Sequence, residues 1–291
     1  SLSNNAISVI FEDSLAQLWI GTGAFGVEGS GLSRFDPDGG RTVHYSHDDS
    51  NPASLASNNI AAIYEAGDGT FWIATGGFSL HGAGLDQFDP RTGTARHFPH
   101  NPQLSDSLST DDLMALWGDS SGMLWVGTWA NGLSLMDLSE PGHFTHYQND
   151  PYFPDSLSGD EVWSLYKDHS GSLWIGTSHN GINKLSATAG QFSLYRNNPS
   201  NPSSLGTNAV GAFSEDQHGA IWIGTWGGGL EQFEDFFRGQ LLNVNLLSIN
   251  IKIVNGLDLK TVTIYVPVVR GNVRIKILLR QIGQQVIGGG C

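Results

Sequence analysis

The sequence predicts an all-β fold: a β-propeller with five recognisable four-stranded blades, in a closed or incomplete ring, followed by a C-terminal β meander. Three observations carry that expectation. A Trp-centred phrase, "LWIGT" or a near-copy, occurs five times, with the Trp at positions 19, 72, 125, 174 and 222. A Ser-Leu pair precedes each, and its Leu (Leu2, Leu55, Leu108, Leu157, Leu205) always stands 17 residues before the Trp. All variation in the repeat, whose intervals are 53, 53, 49 and 48 residues, therefore falls after the Trp. A constant span followed by a variable one is the pattern of stacked units with loop insertions.

The first strand of each unit ("AISVIFED", "IAAIYEA", "LMALWGD", "VWSLYKD", "VGAFSED") is apolar on both faces, so it belongs between neighbouring units. Its central residue is Val9, Ala62, Ala115, Ser164 or Ala212, small in four of the five, as crowding near a common axis requires. A turn follows. It carries Asp six residues before the Trp in four units (Asp13, Asp119, Asp168, Asp216) and Gly three before it in four (Gly69, Gly122, Gly171, Gly219). Asp closes a turn through its side chain, and Gly supplies a positive φ. Unit 1 has Ala16 in the Gly place and unit 2 has Ala66 in the Asp place.

The second strand is the phrase itself. Its indoles Trp19, Trp72, Trp125, Trp174 and Trp222 are the expected structural residues, each with about 150–250 Å² to bury between blades. The third strand carries Leu-x-x-Phe or a close variant (Leu32/Phe35, Leu85/Phe88, Leu133/Met136, Ile182/Leu185, Leu230/Phe233). The fourth is more polar, as in "RTVHY" or "FTHY". An Asn/Pro/Ser-rich connection then runs on, too long for a hairpin and suited to a return from the outer edge of one blade to the inner strand of the next. The blades fall at about 1–50, 51–103, 104–152, 153–200 and 201–244, with the repeats proper spanning 1–240.

Residues 245–291 form a divergent strand-rich tail, in which Ile249/Ile251/Ile253, Val262/Ile264/Val266 and Val273/Ile275/Ile277 alternate. "GQLLNV" (239–244) reads as the outer strand of blade five. The tail is a degenerate sixth blade, a cap on the open edge, a neighbouring domain or the product of a misread or truncated frame. Charge divides at the same place: residues 1–235 balance to −20 and residues 236–291 to +6, for the net −14. An acidic body repels phosphate backbones, so no nucleic-acid partner is expected. The single cysteine, Cys291, excludes a disulfide framework. No apolar run reaches the length of a membrane span.

The pattern "SLSxNxVxxIxEDxxGxLWIGTxxGGLxxFDxxTGxFxxY" resembles the two-component regulator propeller repeat over residues 1 to about 235. That resemblance implies a ligand-sensing module, periplasmic or extracellular, working with the histidine kinase portion of a longer chain or a partner receptor. It also implies carbohydrate regulation, larger arrays of seven blades, and therefore that this chain is a fragment or a short relative.

Within a propeller, the loop after the Trp strand and the long connection lie at the same end of the ring. Units 1 and 2 have eight residues between Thr22 or Thr75 and the next Gly-Leu pair, where the others have three. The long loops carry Phe25, Glu28, Phe78 and His81; the short ones carry Trp129, His179 and Trp226. Aromatic faces beside hydrogen-bonding groups suit sugars, so these seven are the expected ligand-binding residues, for a small molecule or oligosaccharide. The alternative for each is packing: the indoles under neighbouring loops, the two Phe rings in their own. A propeller lyase or glycoside hydrolase would need a positioned carboxylate pair. No sequence-local pair presents itself, so no enzyme activity, catalytic residue, metal or cofactor is expected. A protein-interaction scaffold is the third reading. The outer-strand His44, His97 and His146 read as edge-packed or solvated.

Overall fold

The computed structural model describes residues 2–35, 41–187 and 191–233, together with the backbone of three strands in the tail. Blade 1 contains β1 (Ile7–Glu12), β2 (Leu18–Thr22), β3 (Leu32–Phe35) and β4 (Thr42–Tyr45). Blade 2 contains β5 (Ile60–Glu65), β6 (Phe71–Thr75), β7 (Leu85–Asp89) and β8 (Thr94–Phe98). Blade 3 contains β9 (Leu113–Gly118), β10 (Met123–Thr128), β11 (Leu133–Asp137) and β12 (Phe144–Tyr147). Blade 4 contains β13 (Val162–Lys167), β14 (Leu173–Thr177), β15 (Ile182–Leu185) and β16 (Phe192–Tyr195). Blade 5 shows β17 (Val210–Glu215), β18 (Ile221–Thr225) and β19 (Gly229–Phe233). Within each blade the strands pair antiparallel in chain order. The expected outer strand of blade five lies outside the described residues. In the tail, β20 (Asn250–Ile251), β21 (Val262–Val268) and β22 (Gly271–Ile277) form an antiparallel meander, as the alternation predicts.

The spacing of Leu and Trp acquires a physical reason here. Trp19 packs with Leu55, Ile60, Phe71, Ile73 and Phe88 of blade 2. Trp72 packs with Leu108, Leu113, Leu124 and Val126 of blade 3, Trp125 with Leu157, Val162, Leu173 and Ile175 of blade 4, and Trp174 with Leu205, Val210, Ile221 and Ile223 of blade 5. Each indole is therefore buried by the next unit, whose Ser-Leu Leu is part of the socket. Trp19, Trp72 and Trp174 are only 1% exposed, whereas Trp222, with no described successor, is half-buried.

The Gly of the phrase lets the next inner strand come close. A Cβ on Gly127 would stand 2.7 Å from Val162 Cγ1, and one on Gly176 2.8 Å from Val210 Cγ1. Inner strands pack in sequence, β1 on β5, β5 on β9, β9 on β13 and β13 on β17. One expectation needs correction: the first strand is not enclosed on both sides in every unit. Ser8, Ile10 and Glu12 of β1 are exposed, as are Ala212 and Ser214 of β17. Apolar residues on both faces are enclosed only where a blade has two neighbours, and blades 1 and 5 stand at the ends of the described array.

The turn Asp does more than close its turn. Asp13, Asp168 and Asp216 each accept a backbone N–H of the turn through Oδ1 (from Gln17 at 2.7 Å, Ser172 at 2.9 Å and Ala220 at 3.1 Å). Through Oδ2 each also accepts the indole N–H of its own phrase Trp, at 2.8, 2.7 and 3.0 Å. In blade 3 the Oδ2 of Asp119 binds Lys167 Nζ of blade 4 at 2.5 Å instead. Blade 2 has Ala66, and Trp72 Nε1 is buried with no partner. An unsatisfied buried donor costs about 1–3 kcal/mol. Ala66→Asp is thus expected to stabilise the protein by about 1 kcal/mol, read as a raised urea midpoint. An unchanged midpoint would mean the indole already has a partner in solution. Ala16, in the other irregular turn, adopts φ 59°, where the equivalent glycines lie at φ 80–83°.

At the turn end, blades 4 and 5 are joined through Glu215. It accepts the His169 backbone N–H at 3.0 Å and the Tyr166 hydroxyl at 3.1 Å, and is bonded to His169 Nδ1. Burial opposes the Glu215 charge, but the bonds from His169 and Tyr166 outweigh it and leave the carboxyl below its usual range. The same bond raises His169 above its ordinary 6.5. A histidine whose folded pKa is raised gives its full stabilisation below the unfolded value and loses it as pH climbs through the folded one. His169→Gln is therefore expected to lower the melting temperature more at pH 6 than at pH 8. Equal losses at the two pH values would show that the pair carries no proton linkage.

Candidate functional site

Five buried threonines end the Trp strands, and each donates its hydroxyl to the carbonyl of the Gly that opens the third strand. The pairs are Thr22–Gly31 (2.9 Å), Thr75–Gly84 (2.7 Å), Thr128–Gly132 (2.8 Å), Thr177–Gly181 (2.8 Å) and Thr225–Gly229 (3.0 Å). The residue after each Thr donates its backbone N–H to the carbonyl just before its inner strand. These bonds run from Gly23 to Ala6, Gly76 to Asn59, Trp129 to Asp112, Ser178 to Glu161 and Trp226 to Ala209, at 2.8–3.1 Å. The same two bonds therefore hold all five loops at one end of the array, on a rigid frame.

The aromatic side chains of these loops meet one another. Phe78 is the hub, with ring centroids 5.8 Å from Phe25, 5.3 Å from Trp129, 5.6 Å from Trp163 and 6.0 Å from Trp226, whose plane lies within 10° of its own. Phe25 and Trp226 lie 5.9 Å apart, and His179 stands 6.4 Å from Trp163. Side chains of all five blades thus share one cluster. The five additional residues in loops 1 and 2 supply the reach, and the two loops are joined where Gly26 N–H donates to the Phe78 carbonyl at 3.2 Å. Phe25 is held at φ 52°, a conformation uncommon for a bulky residue. It is 64% exposed and Trp226 52%, while Phe78, Trp129 and Trp163 are part-buried. Neither Phe merely fills its own loop.

Glu28 and His81 stand apart from the rings. Glu28 Oε2 accepts Asn59 Nδ2 at 2.8 Å, and Asn59 Nδ2 also reaches the His81 carbonyl at 3.1 Å. The His81 side chain is almost fully exposed, with Nδ1 3.5 Å from Asp112 Oδ1. His179, also exposed, lies 3.7 Å from Glu161 Oε2. Glu28, Asn59 and His81 thus form one polar group, while His179 faces the indole of Trp163.

Trp163 belongs to the cluster but was not among the expected residues. It lies in an inner strand, where an apolar side chain reads as core. A signal was nonetheless present: three of its four counterparts, Ser8, Ala61 and Gly211, are small, the fourth being Met114. In the structure its Nε1 is buried without a partner. The outer-strand histidines are edge-packed, with Nδ1 of His44, His97 and His146 bonded to Ser33, Asp86 and Ser134 of the adjacent strand at 2.7–2.9 Å. Among the described residues, no group of three or more His, Cys, Asp or Glu side chains could hold a metal ion, and no helix is long and apolar enough to cross a membrane. A cavity of about 580 Å³ between blades 2 and 3, beside Ala66 and Asp119, and one of about 230 Å³ beside His100 include none of the seven expected ligand residues. The mouth offers exposed ring faces.

Residues 54–77, 156–179 and 204–227 match the two component regulator propeller family. Each segment runs from the Ser-Leu region through the Trp phrase, so the chain carries repeats of this type. No curated protein matches the chain. Among solved structures it is similar to one described as the extracellular domain of the hybrid two component system BT3049 from B. thetaiotaomicron, with 26% identity and a TM-score of 0.71 over 97% of this chain and 36% of that one. The extracellular domain of the hybrid two component system BT4673 from B. thetaiotaomicron gives 20% identity and a TM-score of 0.65, over 90% of this chain and 34% of that one. PorZ, a surface component of the type-IX secretion system of Porphyromonas gingivalis, shares the fold at 14% identity and a TM-score of 0.56, over 94% of this chain and 45% of that one. The chain spans about a third of the length of the two-component structures it matches.

Proposed function

We propose that this array of two-component regulator propeller repeats is a ligand-sensing module of an extracytoplasmic two-component receptor, and that it binds an oligosaccharide across the aromatic mouth. The observation that carries the reading is the convergence of Phe25, Phe78, Trp129, Trp163 and Trp226 from five blades into one cluster with two of its rings more than half exposed. Apolar surface concentrated on a rigid frame and bordered by polar groups marks a binding site. The C–H face of a pyranose stacks on such rings, while its hydroxyls find Glu28, Asn59, His81 and His179 around them. A module of this kind works in the periplasm or outside the cell and passes occupancy to a histidine kinase portion of a longer chain or to a partner receptor. Similarity to extracellular domains of two-component systems supports that context.

Calorimetric titration with a panel of oligosaccharides, followed by product analysis, tests the reading. Saturable binding without turnover is expected. Product formation would make the protein an enzyme, and silence across the panel would leave a scaffold.

A further inference from the structure

At the turn end of the array, opposite the mouth, two positions carry acids that tie the turns down. The turn Asp takes the indole N–H of its own blade, and the last residue of the next inner strand reaches back to the turn. Glu65 of blade 2 accepts the Ser14 backbone N–H of blade 1 at 2.7 Å and its hydroxyl at 2.6 Å. Glu215 of blade 5 likewise accepts the His169 N–H and the Tyr166 hydroxyl of blade 4. The seam between blades 2 and 3 has neither acid: Ala66 stands in the turn and Gly118 ends the inner strand. A Cβ on Gly118 would lie 2.1 Å from Tyr64 Cζ, so the tyrosine ring fills the room that a longer side chain needs. Three donors consequently find no acceptor among the described residues. They are the Trp72 indole N–H, the Tyr64 hydroxyl, counterpart of Tyr166, and the Gly67 backbone N–H, counterpart of His169. All three residues line the cavity of about 580 Å³ between these blades, a size ordinary for small-molecule sites.

The protein itself shows which group suits these donors, because Asp168 and Glu215 put carboxylates on their counterparts in blade 4. A carboxylate alone would be repelled here, since Glu65, Asp68 and Asp119 line the cavity and no Lys or Arg does. Glu65 is held by Ser14, and Asp119 by Lys167. Asp68 is the acid left over. Thr70 binds its Oδ1, through N–H at 2.9 Å and hydroxyl at 2.7 Å, while the nearby Arg91 is held by Asp89 at 2.9 Å. A ligand with a carboxylate for the donors and an ammonium for Asp68 answers both halves of the cavity and enters it with no net charge.

We infer that the seam between blades 2 and 3 is a second binding site, for a free α-amino acid whose carboxylate takes the place of the missing acids. The test is a thermal-shift screen of the twenty free amino acids at pH 7. Calorimetry follows with the best of them, its N-acetyl derivative, which lacks the ammonium, and its methyl ester, which lacks the carboxylate. The free amino acid is expected to bind and to move the Trp72 indole ¹⁵N signal, with each derivative at least about tenfold weaker. Ala66→Asp puts a carboxylate of the chain's own on the indole. It is expected to abolish binding while raising the urea midpoint, a pairing that damage to the fold does not produce. Tyr64→Phe removes a hydroxyl that holds nothing in the protein, and should weaken binding about tenfold with the melting temperature unchanged. Equal affinity for either derivative, unchanged affinity in either variant, or no binding by any of the twenty overturns the site. The oligosaccharide reading of the mouth stands or falls apart from these results.

Discussion

Replacing Trp174 by Ala is expected to cost about 3–5 kcal/mol of unfolding free energy, the range for deleting a large buried aromatic. Trp174 is 1% exposed and fills the socket made by Leu205, Val210, Ile221 and Ile223 of the next blade. It stacks on Tyr195 at 6.2 Å, meets Phe233 edge-on at 4.8 Å and carries Lys184 Nζ over its ring at 4.6 Å. Its loss also strands the Oδ2 of Asp168, which now accepts the indole N–H. Trp222 occupies the same place in blade 5 but is only half-buried, so Trp222→Ala should cost less than about half as much. Urea denaturation of the two variants measures the difference. If Trp174→Ala were no costlier than Trp222→Ala, the indoles would not be joining blades.

The double substitution Trp129→Ala/Trp226→Ala is expected to leave the fold intact and to weaken oligosaccharide binding by at least about 30-fold, or roughly 2 kcal/mol. Both residues follow the strand-ending Thr, and both are fixed by a backbone bond that does not depend on the side chain. Trp226 is half exposed and lies over Gly211 of its own inner strand. Truncation therefore removes ring faces from the mouth while the frame of five threonines stays in place. Calorimetry against the ligand that binds the unaltered protein, with a thermal melt as control, reads the outcome. Unchanged affinity would place recognition elsewhere on the ring.

The blade plan was legible because burial imposes the same distance each time: a Leu and a Trp 17 residues apart are two halves of sockets on opposite faces of one blade. The turn Asp was only half legible. Its residue type and position announce a turn, but the bond from Oδ2 to the indole becomes visible only when the hairpin brings residues six apart together, and so the orphaned indole of Trp72 could not be foreseen from Ala66. At the mouth, Phe25, Phe78, Trp129 and Trp226 stood out because they sit in loops of variable length beside Gly. Their convergence did not, since spacing along the chain says nothing of the angle between blades. Trp163 was hidden by its strand, where an apolar residue has an ordinary explanation. The ends of the described array were hidden too, because β1 and β17 repeat the pattern of the enclosed strands while, among the described residues, β1 packs on β5 alone and β17 on β13 alone of the inner strands.

Nine tryptophans divide by this account into two kinds, and one spectrum can separate them. With indole ¹⁵N labelling and assignment by single Trp→Phe variants, titration of a bound oligosaccharide should move the signals of Trp129, Trp163 and Trp226. Those of Trp19, Trp72, Trp117, Trp125, Trp174 and Trp222 should stay still. Movement confined to the second group, or shared evenly by both, would contradict a ligand seated on rings that the five blades gather at one end.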